Sequence, residues 1–525
     1  MRYLFAIAMM LLGSFQFANA AESKKYPAPR FPSYLKPPKS IEDIMPFARA
    51  AVRQVGGRTP LGLVEKGMAA LIVGKLNDSW IVTTRRWTIT AWFFLTLGNL
   101  VGAYWSYHVL GWGGYWAWDP VENAAFMPFL TATAFLHSVM VQERRRMLKL
   151  WNLSLIILTF GLTIFGTFLT RSGIIGSVHS FTQGTIGFFF LGFLALVLLG
   201  SFSLLASRVE RLRAEGVLDS VVSRESTFLL NNLFLVAATF TVFFGTVFPL
   251  ISEAVRGVKI SVGAPFFNLV NIPVFLALLF LMGVGPLIAW RRASAENLKR
   301  NFLKPVIAGF VAAAVLRALG VANGLVLTTM ALVVFVAGTI ALDLFRAVRA
   351  RRRSGDGWGA ATGGLLLRQN RRYGGFIVHL GILVIALGVA GSQAWSVQKE
   401  VTLDKGQSME LAGYQVRFDG LSASEESNHA KVTGTFTVTN GRAGGYMLYP
   451  AKKFYAQEQT PIAYVDYRLG WIEDVYLVLG DFARDGSHAT VKLQVNRMIS
   501  WLWLGGLVLT LGAGLAILPD ARRPA

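Results

Sequence analysis

The chain has 525 residues, of which 54% are hydrophobic and only 15% charged, with a mean hydropathy of +0.49. A water-soluble fold of this size cannot bury so much apolar side chain, so the composition calls for membrane spans. The net charge of +22 would suggest nucleic acid in a soluble protein. Here the basic residues gather in short stretches between apolar runs, where they orient spans, which argues against nucleic-acid binding. There is no cysteine, so the chain forms no disulfide or thiolate metal site, and any thiol chemistry must use a partner's sulfur.

In chain order, residues 1–20 carry Arg2, an apolar run over 3–12 and the small-residue ending Ala18-Asn19-Ala20. That is the layout of a secretory signal, with an uncleaved anchor as the alternative. Segment 21–60, with Pro27, Pro29, Pro32, Pro37 and Pro38, reads as an exported extended stretch of unknown role. A crossing at 61–76 is weak, because it contains Glu65 and Lys66. Apolar runs of spanning length follow at 87–107, 122–141, 151–170, 184–206, 228–250, 268–290, 304–318, 324–345, 374–394 and 497–519. The basic stretches 85–86, 144–149, 208–213, 291–292 and 346–372 fall on one side of these runs. The positive-inside rule makes that side the cytoplasm and turns 108–121, 171–183, 251–267 and 395–496 outward. Gln415-Val416-Arg417-Phe418 and Thr435-Phe436-Thr437-Val438 alternate as half-buried strands do. The expected fold is an all-α polytopic integral membrane protein of about ten transmembrane helices with a small periplasmic β-rich domain. Its parts are a transmembrane core over 61–394, the β-rich domain over 395–496, and a final helix with a cytoplasmic tail over 497–525.

One outward loop stands out, Gly111-Trp112-Gly113-Gly114-Tyr115-Trp116-Ala117-Trp118-Asp119-Pro120-Val121-Glu122. Three tryptophans in seven residues make a flat apolar platform at the membrane surface, and the glycines let backbone or a ligand come close. A large planar porphyrin suits such a surface; an interfacial aromatic belt accounts for scattered Trp and Tyr, but not for this density. Asp119, Pro120 and Glu122 also read as N-cap, N1 and N3 of a helix start, which favours capping over acid–base catalysis.

Of the six histidines, His137 precedes Arg144 by two helical turns and His379 follows Arg372 by the same distance. At ~1.5 Å per residue both sit roughly 10 Å in from the same side. Ionisable residues inside spans mark function by default, and two at matched depth can supply the axial nitrogens of a bis-histidine haem. The alternative is that each donates a hydrogen bond to a neighbouring helix. Arg171, at a membrane edge, can pair with a haem propionate or act as a snorkelling anchor.

The run 111–122 resembles the tryptophan-rich WWD signature of the haem-handling family that includes CcmF, NrfE and the CcsA proteins. From about Ala69 to the C-terminus the chain resembles the CcmF family of cytochrome c haem lyases. The resemblance implies a haem platform at Trp112, Gly113, Gly114, Trp116, Trp118 and Asp119. It also implies a transmembrane haem b on His137 and His379 and an external haem ligand at His179. The family's first external histidine has no counterpart before His108, so His108 or a second chain would have to substitute for it. The implied activity takes haem as transferred substrate from the carrier CcmE and attaches it to Cys-x-x-Cys-His motifs of apocytochrome c. Thiol-reducing and chaperone partners of the CcmH and CcmI type would assist in the bacterial cytoplasmic membrane. A non-catalytic haem scaffold or conduit is the alternative, and no inverted repeat supports a transporter.

Overall fold

The computed structural model describes residues 68, 71–72 and 79–518, except 110, 112, 178–184, 214–215, 427, 442–443 and 456–460. All of them belong to one compact unit, Pro60–Ala525. The expected signal at 1–20, the exported stretch at 21–60, most of the weak crossing at 61–76 and the tail after 518 lie outside the described residues.

Eleven α-helices and ten strands are described: α1 (Ser79–Val109), α2 (Pro120–Arg145), α3 (Lys149–Ser172), α4 (Ile186–Ala206), α5 (Arg224–Arg256), α6 (Ala264–Val284), α7 (Ala295–Ala318), α8 (Gly324–Arg352), α9 (Trp358–Arg368), α10 (Asn370–Trp395), β1 (Val397–Asp404), β2 (Ser408–Leu411), β3 (Tyr414–Glu426), β4 (His429–Thr439), β5 (Tyr446–Leu448), β6 (Ala451–Tyr455), β7 (Ile462–Tyr464), β8 (Asp466–Arg468), β9 (Glu473–Phe482), β10 (His488–Arg497) and α11 (Ile499–Ile517). Nine of them, α2 to α8, α10 and α11, are long and apolar enough to cross a membrane. Each of the ten apolar runs falls in a helix; the tenth, α1, has 31 residues but is diluted by Asn99, Tyr104, Trp105, Tyr107 and His108.

Several helix boundaries depart from the expected runs, two of them for local reasons. The run at 268–290 stops being helical at Val284 because Pro286 follows. The run at 304–318 starts earlier, at Ala295, where the Ser294 hydroxyl accepts from the Asn297 N–H at 3.1 Å. Short α9 was not anticipated inside the basic stretch 346–372.

Ion pairs gather the basic helix ends at one end of the bundle. Arg145 meets Glu225 at 2.8 Å and Asp219 at 2.5 Å, and Arg372 meets Asp343 at 2.7 Å. At the other end α10 delivers the chain into the β-domain and α11 takes it back. These two helices pack backbone to backbone: a Cβ at Gly381 would meet the Gly505 carbonyl at 2.7 Å, and one at Gly512 the Gly374 carbonyl at 2.8 Å. Glycine is needed there because no other residue lets two helices approach so closely.

The strands form two antiparallel sheets, one ordered β1-β10-β9-β8 and one ordered β2-β3-β4-β6-β7 with β5 on β4. Val416 and Phe418 of β3 (Tyr414–Glu426) oppose Val438 and Phe436 of β4 (His429–Thr439), so the expected alternation points their side chains into one core. That core also takes Leu403, Leu477, Leu479, Val491 and Leu493 from the other sheet, which closes a sandwich.

β9 (Glu473–Phe482) is buried on both faces. Val475, Leu477 and Leu479 fill the sandwich, while Tyr476 and Val478 pack on Tyr107 of α1 and Ile499 of α11. The sandwich is therefore seated on the helix ends rather than tethered beside them.

Candidate functional site

The Trp-rich loop leads into α2 through a complete capping box. The Asp119 carboxylate accepts from the Val121 N–H at 2.9 Å, and Glu122 accepts from the N–H of Asp119 at 3.3 Å and of Ala117 at 2.8 Å. Asp119 also accepts from the Ser177 hydroxyl at 2.6 Å, which ties the loop after α3 to the same point. These carboxylates are committed to shaping the loop, as the spacing of Asp119, Pro120 and Glu122 predicts.

Trp118 adopts φ +59, a left-handed conformation that is costly for an aromatic residue. Three contacts hold it there. Its ring stacks on Phe267 of α6 at 5.0 Å and 10°, its indole N–H donates to Asn268 at 2.9 Å, and its carbonyl accepts from the Asn123 amide at 3.1 Å. Trp116 meets Trp118 edge-on at 5.9 Å and Phe126 at 5.4 Å. The two tryptophans thus sit at right angles, 89° between planes, and form a corner rather than a continuous sheet of rings. Trp112 lies outside the described residues.

The loop glycines serve the sandwich. Gly111 and Gly113 have φ +73 and +75, and a Cβ at Gly113 would collide with the Gln494 amide of β10 (His488–Arg497), while one at Gly111 would press on Ala463 at 3.0 Å. The Gly114 carbonyl accepts from Ser106 of α1 at 3.5 Å, and Tyr115 bonds Ser392 of α10 at 3.1 Å. The loop is clamped between the bundle and the β-domain.

A buried polar cluster fixes that clamp. The Tyr107 hydroxyl donates to Asp474 at 2.9 Å and accepts from Asn496 at 3.2 Å, and the Tyr476 hydroxyl donates to the Tyr107 carbonyl at 2.9 Å. Burial pushes the Asp474 carboxyl up from its ordinary range, against the Gly470 N–H and the Tyr107 hydroxyl, which pull it down. With a raised folded-state pKa, Asp474 favours the fold most below the unfolded carboxylate pKa, and this contribution is lost as pH rises through the folded value. The Tyr107 bond opposes that loss because it favours the ionised form. Tyr107→Phe is therefore expected to destabilise by about 1–3 kcal/mol near neutral pH and by less in acid, measured as thermal unfolding in detergent. An equal loss at both pH values would show that Tyr107 does not pair with a carboxylate.

His108 has both ring nitrogens buried without a hydrogen-bond partner. Its ring lies among Tyr104 at 3.9 Å, Tyr467 at 4.7 Å, Tyr107 at 5.2 Å and Trp503 at 6.3 Å. Its aromatic neighbours thus come from α1, β8 (Asp466–Arg468) and α11, not from Trp116 or Trp118. Arg171, half-buried in the last turn of α3, makes no ion pair among the described residues. His179 lies outside the described residues.

Deep in the bundle, His137 of α2 and His379 of α10 are brought together with parallel rings, 6.3 Å between centroids and 8° between planes. The His137 Nδ1–H donates to the Thr133 carbonyl of its own helix at 2.8 Å, which leaves Nε2 with a free lone pair. His379 has a buried Nδ1 with no partner. Among the described residues neither ring donates to a neighbouring helix, which is the commoner reason for a membrane histidine. Two imidazoles on opposite sides of one metal, each at a bond of about 2 Å, have centroids roughly 6–6.5 Å apart. The pair fits that separation, and the Thr133 carbonyl is the kind of partner that orients a ligating histidine.

Comparison with known proteins bears on the fold and the family. The model of the cytochrome C assembly protein family matches residues 3–176, reaching further back than the likeness from Ala69, and that of the CcmF C-terminal beta-sandwich matches 394–497. A helical bundle carrying these two parts defines the class: a multi-pass membrane protein of cytochrome c assembly. The cytochrome c-type biogenesis protein CycK of Rhizobium meliloti is 37% identical over 459 residues, 87% of this chain and 67% of its own length. CcmF of Pseudomonas aeruginosa is 38% identical and CcmF of Escherichia coli 35%, each over 459 residues, covering 87% of this chain and 68% of the relative. A solved structure titled cytochrome c heme lyase CcmF matches with a TM-score of 0.72 at 33% identity, covering 88% of this chain and 70% of that one. The chain belongs to the CcmF family of cytochrome c-type biogenesis proteins.

Sequence reasoning missed the Tyr107–Asp474 pair, the Asn268 support of Trp118 and the glycine seam. Only the last left a local signal: Gly374, Gly381 and Gly388, and Gly505 and Gly512, recur every seven residues.

Proposed function

We propose that this chain is a haem lyase subunit that receives haem from a CcmE-type carrier and promotes its thioether attachment to Cys-x-x-Cys-His motifs of apocytochrome c. The observation that carries the reading is the parallel His137–His379 pair, whose separation fits two axial nitrogens of one haem b. In this reading the Trp-rich loop and the sandwich face the periplasm of a bacterial cytoplasmic membrane, because the paired basic ends lie at the opposite end of the bundle.

Haem, as substrate, rests against Trp116, Trp118 and Trp112, with His179 as one axial ligand and Arg171 beside a propionate. Addition of a thiol S–H across a vinyl group forms one C–S and one C–H bond, so no acid–base residue needs to be assigned. The chain's own work is to orient the porphyrin and exclude water, which the clamped loop suits. CcmH- and CcmI-type partners supply reduced apocytochrome, and His137 and His379 would hold a resident haem b, which when bound would supply electron-transfer chemistry.

A haem-binding scaffold is the second reading. It is favoured by the surroundings of His108, whose ring lies among Tyr104, Tyr107, Tyr467 and Trp503 rather than at Trp116 or Trp118. Co-expression with the carrier, the thiol-reducing partners and a c-type reporter separates the two. Thioether-bonded reporter that disappears with Trp116→Ala supports the lyase, whereas reporter that matures equally with the variant overturns it. A phosphatase inserted in the exposed turn at Asp485–Gly486 is expected to be active. A silent phosphatase beside an active cytoplasmic reporter there would reverse the orientation.

A further inference from the structure

At the end of the bundle away from the sandwich, α8 finishes in Arg349-Ala350-Arg351-Arg352-Arg353 and α9 starts five residues on at Trp358. Between them lies a groove of about 340 Å³ lined by Phe345, Arg349, Arg352, Arg353 and Trp358. The neighbouring cations are occupied: Arg351 pairs with Asp356 at 3.0 Å, Arg346 donates to Asn301 at 2.6 Å and Arg372 pairs with Asp343. Arg349, Arg352 and Arg353 are exposed and meet no carboxylate among the described residues. Arg352 lies over the Trp358 ring at 4.3 Å, which holds that guanidinium at the groove wall.

The aromatic side of the groove is also open to solvent. Phe345 is 51% and Trp358 55% exposed, although α9 anchors itself by burying Ala361 and Leu365 with Val348 and Tyr373. Three guanidiniums that meet no carboxylate among the described residues, beside two exposed aromatics at the end of an apolar span, match a ligand with a phosphodiester at one end and hydrocarbon at the other. We propose that this groove binds the headgroup of an anionic glycerophospholipid. The phosphate bridges Arg349, Arg352 and Arg353, and the first acyl carbons lie along Phe345 and Trp358. Basic pockets at helix ends facing an anionic leaflet bind lipid phosphates in this way.

The test is lipid retention on the full detergent-purified chain by native mass spectrometry, with phosphatidylglycerol and phosphatidylcholine added in equal amounts. One phosphatidylglycerol is expected to stay bound under activation that strips phosphatidylcholine. The R349Q/R352Q/R353Q variant should weaken that retention on the order of a hundredfold, while R208Q/R211Q/R213Q, which removes the same charge from another basic loop, should leave it unchanged. R352Q alone tests the site if the triple variant is misfolded, and should weaken retention severalfold. Equal loss in both triple variants means bulk charge attraction and overturns the proposal, as does equal retention of phosphatidylcholine. Displacement of the lipid by an equal concentration of inorganic phosphate would make the site one for free phosphate and overturn the lipid assignment.

Discussion

Protein purified from cells that make haem is expected to carry a low-spin b-type haem, and His137→Ala or His379→Ala is expected to remove most of it. The two rings come from helices far apart in sequence, and among the described residues one donates only within its own helix while the other has a buried nitrogen without a partner. Removing either leaves one axial nitrogen, so the remaining haem should turn high-spin or be lost. Absorption spectra with a pyridine haemochrome assay measure both outcomes. Because His137 Nδ1 is oriented by the Thr133 carbonyl, a main-chain group, replacing the Thr133 side chain should leave the spectrum nearly intact. Haem at the level of the unsubstituted protein in both histidine variants would remove the assignment.

The helices were legible because spans repeat one signal over twenty residues, and Asp119, Pro120 and Glu122 because a capping box is local. Strands β3 and β4 were legible where one face meets water. β9 was not, since Tyr476 and Val478 are buried against Tyr107 and Ile499, partners that no local alternation can announce. Equal depth put His137 and His379 on one level of the bundle, but depth says nothing about azimuth, and their facing each other depends on how α2 and α10 pack. Trp118 shows the opposite limit. Its density among tryptophans suggested an open surface, whereas much of the ring is spent on Phe267 and Asn268, residues placed on α6 by the tertiary fold. The loop glycines were read as room for a ligand, and Gly113 gives that room to Gln494.

The glycine seam carries the second large effect. A Cβ at Gly381 would lie 2.5 Å from the Leu509 nitrogen and 2.7 Å from the Gly505 carbonyl oxygen. Both are main-chain atoms of a helix and cannot rotate aside, so α10 and α11 must separate. In an open helix position Gly→Ala is mildly stabilising, by about 0.5–1 kcal/mol. At Gly381 overpacking is expected to reverse the sign and cost about 1–3 kcal/mol, with Gly381→Leu costing more. Gly375, on the same helix, has no neighbour within 4 Å, so Gly375→Ala is the matched control and should melt at or above the unsubstituted protein. Since His379 lies half a turn before Gly381 on α10, separation of the helices should also move that imidazole away from His137. Haem content and melting temperature are therefore expected to fall together in Gly381→Ala and in neither respect in Gly375→Ala. If Gly381→Ala keeps its melting temperature, the two helices do not pack backbone to backbone. If it melts early but keeps its haem, the seam is structural and His379 is held by something other than the position of α10.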